Sequence, residues 1–113
     1  VRLKSAIVVA AVVRRANGQN AFAAVRRRGA EEAGAIFVKV ARLDGTAALY
    51  GPAMPSFGTE ETGDRLFRVI VEPGSPEADA EARMVREIGF DPDLWFVEIE
   101  DRDGRHFVEL AKE

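Results

Sequence analysis

The sequence predicts an α+β domain: an antiparallel sheet of about five to six strands built from hairpins, packed by an N-terminal helix and one amphipathic helix near residues 76–88. Two Asp-Gly pairs, Asp44-Gly45 and Asp103-Gly104, stand between apolar alternating runs, the pattern of a two-residue hairpin turn with positive φ at both positions. A Ser-Pro-Glu start followed by helical spacing and a terminal glycine marks the amphipathic helix. A length of 113 residues with 47% hydrophobic content suits one domain with one core.

The elements follow in order. Ser5 is positioned as a helix cap, with Arg14, Arg15 and Asn17-Gly18 as last turn and stop. The interior Ile7–Val13 is rich in β-branched residues, which also suit a strand, and the terminal signals decide for helix. Such a helix is apolar on nearly all sides and is expected to be largely buried. Phe22–Arg28 reads as a strand, Gly29–Gly34 as a loop and Ala35–Leu43 as the strongest strand. The Asp44-Gly45 turn pairs Val40 with Leu49 and Lys39 with Tyr50. Residues 51–63 read as a long irregular loop, and Arg65–Val71 as the next strand, ended by Glu72-Pro73-Gly74. Ser75 caps the second helix with Pro76 at its first position, and Ala78, Ala82, Val85 and Ile88 form its core stripe. Leu94–Glu100 forms the last strong strand. The Asp103-Gly104 turn folds the chain back so that Ile99 faces Val108 and Val97 faces Leu110.

Charge is unevenly distributed. The net charge is −3, yet residues 1–50 carry nine Lys/Arg against three Asp/Glu, and residues 51–113 seven against sixteen. Either the fold keeps the halves apart, giving a polar molecule whose copies can associate through opposite charges, or it interleaves them and the charges pair. There are no cysteines, which excludes disulfides, zinc ribbons and thiol catalysis. The longest apolar run, Ala6–Val13, falls far short of the roughly 20 residues that span a bilayer. Arg14 and Arg15 follow it where an export signal needs small neutral residues, so a cytoplasmic chain without a membrane role is expected.

Each available chemistry lacks a group. Gly29-x4-Gly34 has P-loop glycine spacing, but Ala35 and Ile36 replace the lysine and hydroxyl, and a hairpin connection accounts for both glycines. Aligned as a calcium loop, Asp101-x-Asp103-Gly104 puts Ile99 and Leu110 at ligand positions. His106, the one histidine, faces Asp101 in the expected register and reads as a cross-strand ion pair. The acidic residues Asp91, Asp93 and Glu100, with Glu98, Asp101 and Asp103, are metal-ligand candidates, more simply read as solvated turn and edge residues. No cofactor is expected.

Two binding surfaces remain. Arg26, Arg28 and Lys39, with Arg14 and Arg15 ending the first helix, form a candidate anion site. An acidic pI near 5.3 and the lack of an aromatic RNA-binding signature argue against nucleic acid there. Tyr50, Pro52 and Met54 begin the long loop and are candidate partner contacts.

Three stretches together resemble a known family: Arg27-Arg28-Gly29 with Ala33-Gly34-Ala35-Ile36, Arg42-Leu43-Asp44-Gly45 through Leu49-Tyr50-Gly51-Pro52, and Phe90-Asp91-Pro92-Asp93-Leu94-Trp95 through Glu98-Ile99-Glu100-Asp101-Arg102. The family is the bacterial group of short proteins called domain of unknown function fourteen ninety-one. The resemblance covers nearly the whole chain and implies a stand-alone protein with an N-terminal helix, but no activity and no catalytic residues. The leading expectation is a non-catalytic binding or adaptor domain that meets an anionic ligand or a protein partner through the basic strand face or the 50–55 loop. The alternative is a small metal-dependent hydrolase or nuclease-like enzyme using the C-terminal carboxylates.

Overall fold

The computed structural model describes residues 3–53 and 65–112. In chain order the elements are α1 (Ser5–Gly18), β1 (Phe22–Arg27), β2 (Ile36–Ala41), β3 (Thr46–Pro52), β4 (Phe67–Pro76), α2 (Glu77–Phe90) and β5 (Trp95–Glu100). The strands make one sheet in the order β1-β5-β2-β3-β4. The α+β class, and among the described residues the five strands and two helices, match the sequence expectation. The sheet is mixed rather than wholly antiparallel: β2 and β5 run parallel, because the chain passes through α2 before returning as β5 between β1 and β2.

The helices pack on opposite faces. On one, Val9, Val12 and Ala16 of α1 meet Ile36, Val38, Val40, Trp95, Val97 and Ile99. On the other, Ala80 and Met84 of α2 meet Phe37, Ala41, Leu49 and Phe96. The alternation of β2 and β5 supplies both layers, since successive side chains leave a strand on opposite sides.

The β2–β3 hairpin is real, but its register is one residue from expectation. Lys39 faces Leu49, Val38 faces Tyr50 and Val40 faces Ala48. The turn is wider than two residues: Arg42 N–H donates to Thr46 O, Leu43 and Gly45 both take positive φ, and the Asp44 carboxylate accepts from Thr46 N–H and Oγ1–H. A one-residue slip moves side chains to the other face, so Tyr50 enters the α1-side core and Leu49 the α2-side core.

The second expected hairpin does not form. β5 already has β1 on one edge and β2 on the other, which leaves no edge for residues 105–110. After the turn at Gly104 the chain crosses to the start of β4, where Phe67 N–H donates to Glu109 O and Ala111 N–H to Phe67 O. His106 therefore lies against the Tyr50 ring (centroids 4.9 Å apart), and Asp101 pairs with Arg105.

The Gly29–Gly34 loop is not a hairpin connection either, because β5 lies between β1 and β2. It crosses the start of β5, with Ala30 N–H donating to Asp93 O and Trp95 N–H to Ala35 O. A Cβ on Gly34 would stand 2.5 Å from Asp93 O, so the glycines are required by close backbone approach.

Three smaller expectations also change. Lys4 is the N-cap of α1. Ser5 is its first helical residue, fully buried, with Oγ–H donating to Gly34 O at 2.6 Å. β4 continues through Pro73-Gly74, so Ser75 pairs with Ala47 and Pro76 caps α2 without a side-chain bond. The α2 stripe is rotated by about one residue: Ala80 and Met84 are buried, whereas Ala78, Ala82 and Val85 are exposed. That rotation brings Glu77 and Glu81 to Lys39. Likewise α1 is not buried all round, and Ile7 is 52% exposed.

Candidate functional site

The structure divides the five anion-site candidates between two faces. Arg26 and Lys39 meet on the α2 side, where carboxylates already occupy them. Lys39, 2% exposed, donates to Glu77 (2.6 Å) and Glu81 (2.5 Å), with Glu98 at 3.5 Å. Arg26 spans Glu81 and Glu98, and its guanidinium lies 4.6 Å from the Phe96 ring centroid. The hydrogen bond from Arg26, joined by that from Lys39, holds the Glu81 carboxyl down at about 2. Burial pushes the Lys39 ammonium down, but its hydrogen bonds to Glu77 and Glu81 outweigh this and raise it. Two cations face three carboxylates, so this cluster fastens α2 to β1, β2 and β5 and repels a further anion. Here the basic and acidic halves of the chain are interleaved.

On the opposite face, Arg28 lies over the Trp95 ring at 5.1 Å. Arg14 and Arg15 end α1 and, among the described residues, neither forms an ion pair with a carboxylate. The Arg15 Nη1–H donates instead to Phe107 O at 2.6 Å, which leaves its charge uncompensated. Lys4, exposed at the start of the same helix, also lacks an ion pair among the described residues.

Beside Arg15, α1 and the C-terminal segment enclose an open apolar cleft of about 180 Å³. Its walls are Leu3, Val8 and Val12 on the helix side, with Phe67, Phe107 and Val108 opposite. An arginine bridges the walls at each end: Arg15 reaches Phe107 O, and Arg65 reaches Leu3 O at 3.0 Å. Glu109 also contributes to the lining. Sequence reasoning singled out none of these wall residues. They come from three distant segments, and only the failure of the second hairpin brings 107–109 to the first helix.

The partner-loop candidates separate. Tyr50 is buried and its phenol is pushed up by burial, while Pro52 is exposed. Met54 lies outside the described residues, as does most of the expected 51–63 loop. The metal candidates do not assemble: Asp91 Oδ1 accepts from Asp93 N–H as a turn bond, and Glu100 sits on β5 opposite Phe22. Among the described residues no group of three His, Cys, Asp or Glu is placed to hold a metal ion.

The family model described as a protein of unknown function, DUF1491, matches residues 3–109. The chain belongs to the DUF1491 family. The solution structure of a protein from A. tumefaciens is similar to this DUF1491 chain at 40% identity and a TM-score of 0.85, covering 100% of this chain and 98% of that one. A crystal structure of a DUF1491 family protein from Caulobacter crescentus shares 43% identity with a TM-score of 0.80, covering 99% and 100%. An NMR structure of a DUF1491 family protein from Caulobacter crescentus gives 43% and 0.81, covering 100% and 99%. No curated protein matches. Among the described residues of this DUF1491 chain, no helix is long and apolar enough to cross a membrane.

Proposed function

We propose that this DUF1491 domain is a non-catalytic binding module whose recognition site is the cleft between α1 and the C-terminal segment. One observation carries the reading. The cleft joins apolar walls to the Arg15 guanidinium, which donates to a backbone carbonyl and to no carboxylate among the described residues, whereas Arg26 and Lys39 on the other face are already paired. Apolar surface supplies affinity on burial, and an unneutralised guanidinium at the rim supplies orientation toward an anion. The site suits a ligand group that is apolar at its tip and anionic at its base.

Amide NMR titration with octanoate, and separately with Mg²⁺, tests this. Octanoate is expected to shift Val8, Val12, Phe107 and Val108, and Ala11→Trp, at an α1 residue that also lines the cleft, to fill it and abolish those shifts. Mg²⁺-specific shifts gathered at Asp91, Asp93 and Glu100 would favour the hydrolase alternative and overturn the proposal.

A further inference from the structure

We infer that the cleft takes a segment of a partner protein bearing one large apolar side chain flanked by carboxylates, an inference that rests on the cleft being the binding site. Size excludes the larger alternatives. Sites for cofactors and drug-sized ligands hold roughly 300–1,000 Å³, and about 180 Å³ accommodates a single anchoring side chain. A few such anchors commonly dominate protein–protein affinity.

The surroundings of the cleft extend that contact. Leu3, in the cleft wall, and Ile7, on α1, are each 52% exposed, so apolar surface on the helix side of the cleft reaches solvent. Glu31 and Glu32 meet the start of α1, where their backbone carbonyls accept from Ala6 and Ser5 N–H, whereas Arg14 and Arg15 stand two turns beyond Ile7, so the positive charge gathers at the C-terminal half of the helix. A partner lying along the C-terminal half of α1 therefore meets cations beside the apolar cleft, and an acidic flank complements it. Glu109 on the opposite wall disfavours carboxylates there, so the acidic flank runs along the helix side. An anionic membrane presents its headgroups outermost with the acyl chains packed beneath them, and a nucleobase carries polar ring edges that the apolar walls leave unpaired.

The test is fluorescence anisotropy with a labelled peptide that carries one phenylalanine between pairs of glutamates. It runs beside the same peptide with alanine at the centre and one with lysines for the glutamates. Saturable binding to the first is expected, at least tenfold weaker for each of the others, and weakening as salt rises. Arg14→Glu with Arg15→Glu should weaken it at least tenfold while circular dichroism confirms the fold. Equal binding of the lysine peptide, no saturable binding of the glutamate peptide, or tighter binding to phosphatidylglycerol vesicles or a single-stranded oligonucleotide each overturns the inference. If octanoate still shifts the cleft amides while the glutamate peptide does not bind, the partner chemistry is wrong and the cleft stands; if neither binds, both fail.

Discussion

Replacing Lys39 with methionine keeps an unbranched chain between the sheet and α2 but removes the cation on which three carboxylates converge. Losing one side of a fully buried ion pair costs about 3–5 kcal/mol, and an exposed pair is worth about 0–1 kcal/mol. Lys39 belongs to the first class, with its side chain 3% exposed, while Glu77 and Glu81 retain 42% and 37% exposure. The cluster falls between, and Lys39→Met is expected to lose about 2 kcal/mol at neutral pH. For a domain of this size that lowers Tm by roughly 8 °C or more. Urea denaturation followed by circular dichroism and by Trp95 fluorescence reads the loss, and Lys39→Met with Glu81→Gln should recover about 1 kcal/mol by removing like-charge repulsion. The pH dependence gives an independent check. The Glu81 carboxyl falls from the usual 4.5 to about 2 on folding. Its contribution is therefore complete above about pH 4.5 and is lost as pH falls toward 2. Screening of a carboxylate that is more than a third exposed reduces that contribution to about 1–2 kcal/mol. In Lys39→Met this acid-side loss shrinks. A variant as stable as the parent at pH 7, with an unchanged profile between pH 5 and 2, would refute the account of how α2 is held.

Other expectations follow from the same structure. Gly34→Ala drives a Cβ into the Asp93 and Ala30 carbonyls and is expected to cost about 2–3 kcal/mol, whereas Gly89→Ala meets nothing within 4 Å and should gain up to about 1 kcal/mol in helix propensity; paired thermal melts separate them. Asn17 exchanges two hydrogen bonds with the Ala23 backbone, so Asn17→Ala should lose about 1–2 kcal/mol and raise amide exchange at Ala23. Val85→Glu should change stability by no more than about 0.5 kcal/mol, because that side chain is 72% exposed; a loss above about 2 kcal/mol would restore the stripe read from periodicity.

Local chemistry was sufficient for the elements themselves. Alternation in Ile36–Ala41 and Trp95–Glu100, the Pro76-Glu77 start and the Gly45 turn each act within a few residues, so helices and strands appear in the sequence close to where they form. Register was less legible. Asp44-Gly45 signals a hairpin, but Leu43 also adopts positive φ and widens the turn by one residue. The candidate anion set was legible as residues and not as a site: alternation placed Arg26 and Lys39 on strands, but the rotation of α2 that covers them with Glu77 and Glu81 comes from packing.

By itself, then, the sequence determined an α+β fold, the two helices seen among the described residues, a β2–β3 hairpin and the family resemblance. Tertiary structure alone decided that β5 lies inside the sheet, between β1 and β2. A strand has only two edges, and with β1 and β2 on both of them the C-terminal segment had to pair elsewhere. That one topological fact removed the second hairpin, took His106 from Asp101 to Tyr50, and placed Phe107 and Val108 against α1 to form the cleft.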